Sequence, residues 1–188
     1  MTNDNTMTKL SKFLSLVLRH KPEAAGIALD KNGWADVSDL LTGVRNNYGH
    51  ITMSMLEEIV ANDNKQRYSF DKYHKKIRAN QGHSVQVDLG LIPVTPPDVL
   101  YHGTSMKYFG GIMGVGLIKK SRNHVHLSEE PHTAITVGSR HGNDVVVFLV
   151  NARQMHTDGY EFFKSENGVW LTDSVPSKYL TTIMNVEQ

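Results

Sequence analysis

The sequence predicts an α+β protein built from two lobes. Apolar residues at helical spacing dominate the first third of the chain, and short runs typical of strands follow. An almost continuous apolar run over residues 144–150 indicates a buried central strand in the second half. Residues 92–98 contain three prolines, which predicts a stiff extended linker. We therefore expect a first lobe over residues 1–91, a linker over 92–98 and a second lobe over 99–188.

The first lobe is predicted to hold three helices and a β-ribbon. Apolar residues over positions 10–18 share one helical face, and Pro22 stops this helix. Asp36 and Thr52 are predicted to cap the second and third helices, because their side-chain oxygens accept from the first N–H groups. Residues 68–77 and 85–89 are predicted strands, joined by a turn within 77–84. Three helices and then a ribbon resemble a winged-helix arrangement.

The second lobe is predicted to be mixed α/β. Strands are expected over residues 99–102, 124–128, 144–150 and 169–171, and helices over residues 105–113 and 131–140. Gly110, Gly111, Gly114 and Gly116 are expected to end the first of these helices in a flexible turn with a role in cofactor access. Their spacing fits neither of the common glycine-rich phosphate motifs.

Composition excludes several classes of protein. The chain has no cysteine, which excludes disulfides and cysteine-based metal sites. No apolar run approaches the roughly 20 residues of a membrane span, and the N-terminus lacks the pattern of a signal peptide. We expect a cytoplasmic monomer with no membrane partner. The net charge of +1 gives no global attraction to a polyanion.

Positive charge is nevertheless concentrated over residues 65–78. One acid, Asp71, faces six basic residues, and Tyr68, Phe70 and Tyr73 lie among them. Basic residues mixed with aromatics suit a nucleic-acid strand, although a solvated basic hairpin has the same composition. The basic residues are Lys65, Arg67, Lys72, Lys75, Lys76 and Arg78.

Four polar strings contain the candidate chemistry: LRH at 18–20, IRANQGHS at 77–84, YHGTS at 101–105 and SRNHVHLS at 121–128. Together they hold three arginines and five histidines. Arginine offers a planar fork of donors suited to phosphate, and glycine allows a close approach. Each string also has a simpler interpretation. Arg19 and His20 could complement a helix dipole, while residues 77–84 and 102–104 could be ordinary turns.

A metal site is a further alternative for the fourth string. His124 and His126 lie two apart on a predicted strand and so share one face. Zinc is the obvious candidate, because histidine is a common zinc ligand. Neither an HExxH motif nor a cysteine supports it. We therefore predict no metal.

The order of these four strings resembles the RNA 2′-phosphotransferase family, also called tRNA 2′-phosphotransferases. The resemblance covers residues 10–180, and IRANQGHS is close to a family signature. It implies an ADP-ribosyltransferase-like second lobe that binds NAD as co-substrate. HGT at the end of a first strand is also found in ADP-ribosyltransferases of the diphtheria-toxin type, whose histidine contacts the adenosine ribose. The implied partner is RNA carrying a 2′-phosphate, at a tRNA-like splice junction or elsewhere.

The resemblance also implies roles for individual residues. Arg19, His20, Arg78 and Arg122 would be catalytic. NAD would be bound by His102, Gly103, Thr104, Ser105, His126 and Ser128. RNA would be bound by Lys72, Lys75, Lys76, Gln81, His83 and Ser84. The glutamate of protein-modifying ADP-ribosyltransferases has no clear counterpart, and a 2′-phosphate does not need such a base because its second pKa is about 6.

Two other functions remain open from the residues alone. One is an ADP-ribosyltransferase that acts on protein or on nucleic-acid ends and performs only the first of the two steps. The other is a winged-helix nucleic-acid binder without catalysis. Persistence of an ADP-ribose adduct would distinguish the first, and failure to release nicotinamide would distinguish the second.

Overall fold

The computed structural model describes residues 2–183, and the side chains of residues 6–140 and 142–183. The chain divides into two compact units, Met1–Gly90 and Leu91–Gln188. Both contain helices and small antiparallel sheets, which confirms the predicted α+β class. In the part of the chain that the structure describes, no helix is long and apolar enough to cross a membrane.

The first unit combines helices with one short sheet. Its elements are α1 (Thr2–Val17), a 3-10 turn (Pro22–Ala25), β1 (Trp34–Asp36), α2 (Val37–Tyr48), α3 (Met53–Ala61), β2 (Tyr68–Phe70) and β3 (Lys76–Ala79). Both predicted helix caps are confirmed. Asp36 Oδ1 accepts from the backbone N–H groups of Ser38 at 2.8 Å and Asp39 at 3.3 Å. Thr52 Oγ1 accepts from the N–H of Met55 at 3.2 Å.

The predicted ribbon is wrong in its second strand. Strand β3 lies between β1 and β2 and pairs antiparallel with both. The hairpin turn between β2 and β3 is residues 71–75, whereas the predicted turn residues Ile77 and Arg78 belong to β3 itself. Residues 85–89 form no strand. Their backbone N–H groups bond to loops instead, as Val85 does to the carbonyl of Arg19 and Asp88 to that of Lys31.

One apolar core joins all the helices and the sheet of this unit. Its fully buried members include Leu14 and Val17 of α1, Leu40 of α2, Leu56 of α3 and Ile77 of β3. This packing holds the C-terminal end of α1 and strand β3 in one rigid body. The unit therefore fixes the positions of Arg19 and Arg78, which follow α1 and lie on β3.

The second unit alternates strands and helices as predicted. Its elements are β4 (Leu100–Ser105), a 3-10 turn (Met106–Tyr108), α4 (Phe109–Val115), β5 (Leu117–Ile118), β6 (Val125–Leu127), α5 (Pro131–Gly138), a 3-10 turn (Ser139–His141), β7 (Val145–Val150), α6 (Ala152–Thr157), β8 (Phe163–Lys164), β9 (Trp170–Thr172), β10 (Ser174–Val175), a 3-10 turn (Ser177–Tyr179) and β11 (Leu180–Ile183).

Strand β7 is the centre of the largest ladder. It pairs antiparallel with β4 on one side and with β11 on the other. Phe148 and Val150 of β7 are fully buried in the core of the unit. The prediction of a buried central strand over residues 144–150 is therefore confirmed. A second sheet has the order β6-β9-β8, and β5 pairs with β10.

Two predictions about irregular segments need revision. Gly110, Gly111 and Gly114 lie inside α4, and only Gly116 ends it, with a left-handed φ of 88°. Residues 92–98 are neither helical nor strand, but Val94 N–H donates to the carbonyl of Phe162 at 2.8 Å and so fastens the segment to the second unit. Its role as an interlobe linker stays a prediction.

Candidate active site

Arg19 and His20 lie just beyond the C-terminal end of α1. The His20 N–H donates to the carbonyl of Leu16 at 2.8 Å, which continues the helical pattern for one more turn. The carbonyl of Arg19 accepts from the N–H groups of Ser84 at 2.9 Å and Val85 at 3.3 Å. The end of IRANQGHS therefore satisfies a carbonyl at the helix end, where no intrahelical partner is available. These bonds bring the first and second polar strings together.

The side chain of Arg19 packs directly against the second string. Its guanidinium lies 6.0 Å from the ring centroid of Tyr68, and its Nη1 is 3.5 Å from Ser15 Oγ. A Cβ placed on Gly82 would be 3.6 Å from that Nη1, and Gly82 has a φ of 87°. Glycine at 82 therefore allows the left-handed conformation that brings this turn against the Arg19 guanidinium.

His20 is tied to the second string by its own ring. Its Nδ1 lies 2.9 Å from Ser84 Oγ, at hydrogen-bond distance. This contact fixes the orientation of the imidazole and directs Nε2 away from Ser84. A histidine held in this way can present one defined nitrogen to a substrate. The structure thus gives Ser84, which was predicted to bind RNA, a direct contact with a predicted catalytic residue.

Arg78 reaches the same region from strand β3. It is directly opposite Trp34 of β1 in the antiparallel register, and its guanidinium lies 4.5 Å from the Trp34 ring centroid. Stacking on an indole face holds the planar guanidinium in one orientation. The tryptophan was not predicted as a site residue. Strand β1 is only three residues long, which is too short to show a periodic pattern in the sequence.

His83 lies among these cations and is almost completely buried, with 1% exposed surface. Its burial, and then the charges of Arg19, His20 and Arg78, lower the pKa of His83 to about 4. The imidazole is therefore neutral near pH 7. Arg19 and His20 also contact this segment directly, through the backbone bonds to Ser84 and the contact between the His20 and Ser84 side chains. The first unit accordingly gathers Arg19, His20, Arg78, His83 and Ser84 into a cationic cluster, a suitable environment for a phosphate dianion.

The basic hairpin next to this cluster is only partly available to a ligand. Tyr68 is buried, and its hydroxyl donates to the carbonyl of Ser11 at 3.1 Å, so its ring does not lie on the exposed face of the hairpin. Lys76 Nζ donates to Asp30 at 3.1 Å. Lys72 and Lys75 are exposed, and so is Tyr73 at 71%. The part of the hairpin that can meet a strand is therefore its tip, residues 72–75.

In the second unit, the third and fourth strings are neighbours. Tyr101 and Ser128 exchange a pair of backbone hydrogen bonds, each 2.8 Å long. His102 Nδ1 lies 3.0 Å from the carbonyl oxygen of His126. A carbonyl can only accept, so this Nδ1 bears the proton, and Nε2 of the neutral ring is an acceptor. His102, His126 and Ser128 are thus brought together, and an acceptor on His102 suits a ribose hydroxyl.

The strand that contains HGT, β4, continues three residues beyond its predicted end at His102. Residues 102–104 lie within β4 and pair with residues 146–148 of β7, and the helical turn begins only at Met106. Backbone N–H groups of HGT are therefore not those of a helix N-terminus. The glycine has a packing reason instead, because a Cβ at Gly103 would be 1.8 Å from the carbonyl oxygen of Ala134 in α5. Thr104 and Ser105 are buried.

Arg122 lies in the loop before β6, where its N–H donates to the carbonyl of Lys119 at 3.0 Å. The residue is exposed overall, but protein atoms surround its guanidinium in part. This desolvation, and then repulsion by Arg140, lowers the pKa of Arg122. Arg140 comes from the turn after α5 and belongs to none of the four strings. The sequence offered no signal for it, since it lies 18 positions beyond Arg122.

Metal binding has no support in the described side chains. No group of three or more histidines, aspartates or glutamates there could hold an ion. The ring of His124, which was weighed as a zinc ligand, packs at 5.7 Å from the ring of Phe163. Its pKa is lowered by burial, although Asp173 acts in the opposite direction.

Comparison with known proteins identifies the family of this chain. Residues 5–174 match the model of the family described as RNA 2′-phosphotransferase, Tpt1 / KptA family. A relative from Nostoc punctiforme, named "Probable RNA 2′-phosphotransferase", is 53% identical over 96% of this chain and 99% of its own. Relatives of the same name from Acaryochloris marina and Agrobacterium fabrum are 46% and 48% identical. They cover 96% and 93% of this chain and 99% and 93% of their own.

A transferase with an RNA phosphate as substrate is the class that these matches define. The chain belongs to the RNA 2′-phosphotransferase family. Its activity is accordingly the removal of a 2′-phosphate from RNA.

Proposed function

We propose that the chain removes an internal 2′-phosphate from RNA with NAD as co-substrate. The first unit would act as a winged-helix-like RNA lobe, and the second as an ADP-ribosyltransferase-like NAD lobe. Support for the first assignment comes from its helices, its small sheet and the exposed basic tip at residues 72–75. Support for the second comes from His102, which is held beside the strand that carries His126 because its Nδ1 lies 3.0 Å from the carbonyl oxygen of His126.

The reaction proceeds in two steps. In the first, an oxygen of the RNA 2′-phosphate attacks C1″ of the nicotinamide ribose, and the C–N bond to nicotinamide breaks. No general base is required, since the phosphate is already ionised near neutral pH. The product is an RNA with ADP-ribose attached through its 2′-phosphate.

In the second step, the 2″-hydroxyl of that ribose attacks the phosphorus. The bond between phosphorus and the RNA 2′-oxygen breaks, and the RNA leaves with a free 2′-hydroxyl. ADP-ribose 1″,2″-cyclic phosphate is the other product. The departing RNA oxygen needs a proton, and His20 would donate or relay it. Arg19, Arg78 and Arg122 would stabilise the charge that develops on the phosphoryl oxygens.

The observation that carries this proposal is the cationic cluster of the first unit. Nδ1 of His20 lies 2.9 Å from Ser84 Oγ, and Nη1 of Arg19 lies next to Gly82. Arg78 stacks on Trp34, and all three side chains act on the buried ring of His83. Cations held in fixed orientations in this way are preorganised for an anion. A phosphate dianion is the ligand that they fit best.

The proposal is tested with a short RNA that carries one internal 2′-phosphate. The purified protein is incubated with this RNA with and without NAD, and the masses of both products are measured by mass spectrometry. We expect loss of the phosphate only with NAD, equal release of nicotinamide, and a cyclic phosphate of ADP-ribose. Phosphate loss without NAD would contradict the proposal. An ADP-ribose adduct that persists would favour the ADP-ribosyltransferase alternative.

A further inference from the structure

A groove of about 500 Å³ opens on the first unit between α1, α3 and β2. Its size lies within the range of small-ligand sites, roughly 300–1,000 Å³. One wall is a single face of α1, where Thr8, Ser11 and Ser15 follow one another at intervals of three and four positions. None of the predicted site residues lines this groove.

The groove begins beside the cationic cluster. Ser15, which lines its inner end, lies 3.5 Å from Nη1 of Arg19. Tyr68 forms part of the same end, and its ring lies 6.0 Å from the Arg19 guanidinium. A phosphate bound to the Arg19 guanidinium would therefore lie next to the groove, because Ser15 belongs to both surroundings.

The side chains that line the groove differ in whether they already form hydrogen bonds or ion pairs within the protein. Asp63 is paired with Arg67 and also accepts from the Arg67 N–H at 2.7 Å, so both of these side chains serve the turn before β2. In contrast, the structure records no hydrogen bond for the side chains of Thr8, Glu58 and Asn62 among the described residues. A hydroxyl, a carboxylate and an amide are thus left to meet a ligand.

We propose that this groove binds the nucleoside next to the one that bears the 2′-phosphate. This inference rests on the proposed function, since it takes Arg19 as a phosphate ligand. The mixture of acceptors and donors matches a ribose and a base edge. The charged side chains of the lining balance, Lys12 and Arg67 against Glu58 and Asp63, so the groove has no net attraction for a second phosphate. The groove therefore takes the sugar and base, while the RNA backbone follows the basic side of the unit.

The test compares a short and a long substrate. The short one is a single nucleoside 2′-phosphate, and the long one is a trinucleotide with the 2′-phosphate on its middle nucleotide. Thr8→Trp fills the groove from the α1 wall without touching the cationic cluster. We expect kcat/KM for the trinucleotide to fall about tenfold, the loss of one or two good contacts, while kcat/KM for the short substrate stays unchanged.

The matched control is Thr6→Trp. It makes the same substitution on the same helix, and Thr6 is exposed and does not line the groove. This variant should process both substrates like the wild type. A second variant, Glu58→Ala with Asn62→Ala, removes hydrogen-bonding groups without adding bulk and should lower only the trinucleotide value. This double variant still tests the groove if Thr8→Trp fails to fold.

The outcomes distinguish failure of the groove site from failure of the proposed function. A selective loss on the trinucleotide in either groove variant supports the site. Equal values in the groove variants and the wild type, or equal losses on both substrates, overturn it while the proposed function stands. A wild-type protein that removes the phosphate from neither substrate with NAD overturns the proposed function and this inference with it.

Discussion

Ser84 Oγ lies 2.9 Å from Nδ1 of His20, although the two residues are 64 positions apart in the chain. The contact joins the end of α1 to the end of the IRANQGHS string and fixes the ring of the proposed proton donor. Ser84 is therefore a positioning residue as well as a predicted RNA ligand.

Replacing Ser84 tests this relationship. Ser84→Ala removes the bond to His20, and we expect kcat to fall about tenfold. This is a fraction of the 10²–10⁴-fold rate enhancement that a positioned acid or base contributes. KM for RNA should change little, and the pH dependence of kcat should shift because the imidazole loses its partner. Ser84→Thr keeps the hydroxyl and should restore most of the rate. If Ser84→Ala instead raised KM alone, the serine would serve RNA binding.

His83 makes stability depend on pH. Its pKa is about 4 in the folded protein against 6.5 for an ordinary histidine, so the unfolded state binds more protons between these values. The free energy of unfolding should therefore fall as the pH drops from 6.5 to 4, by up to about 3 kcal/mol. Denaturant unfolding at a series of pH values, followed through tryptophan fluorescence, measures this.

His83→Gln is the control for that measurement. Glutamine does not titrate, so the fall in stability over this pH range should be smaller by the same amount than in the wild type. Identical slopes for both proteins would mean that folding does not lower the pKa of His83.

Gly103 should be required for packing and not only for a ligand. In Gly103→Ala the new Cβ would lie 1.8 Å from the Ala134 carbonyl oxygen, and we expect about 3 kcal/mol of destabilisation. Gly111→Ala is the matched control, because nothing lies within 4 Å of a Cβ at that helical position. It should be neutral or stabilise by up to about 1 kcal/mol. Calorimetric unfolding of both variants decides the matter, and equal stabilities would disprove the close approach.

The sequence predicted the regular parts of the fold better than the site. The caps at Asp36 and Thr52 and the central strand β7 were predicted correctly, because each depends on local chemistry or on an unbroken apolar run. Residues 85–89 show the alternating pattern of a strand. Their backbone N–H groups nevertheless bond to the end of α1 and to a loop, and these tertiary contacts cannot be predicted from the local pattern. Strand β1 and its Trp34 were missed because a strand of three residues is too short to show an alternating apolar pattern.

The same distinction holds for the site residues. The four strings contained the residues that each unit brings together, since their chemistry is visible in the composition of a short segment. The position of HGT inside a strand was not visible, because the ladder with β7 and the approach of α5 decide it. Arg140 was missed because only the fold brings it near Arg122.

The exposed lysines of the hairpin should contribute to the salt dependence of RNA binding. For a single strand, removal of one lysine–phosphate ion pair should reduce the slope of log K against log salt by about 0.7. Lys72→Ala with Lys75→Ala should reduce the slope by the amount expected for one or two such pairs. Lys76→Ala should change it less, because Lys76 is paired with Asp30. Equal effects of all three lysines would mean that RNA binding is not concentrated at the tip of the hairpin.

The central claim is that the arginines and His20 act on the second step. The most direct measurement is a single-turnover time course with NAD and an RNA whose 2′-phosphate is radiolabelled, for the wild type and for Arg19→Ala, His20→Ala, Arg78→Ala and Arg122→Ala. In the wild type the label should move to a small NAD-derived product. In the variants the second step should slow by about 10²–10³, so labelled RNA carrying ADP-ribose should accumulate as a slower-migrating band. Variants that leave the RNA unchanged throughout, with no such band at any time, would contradict this assignment.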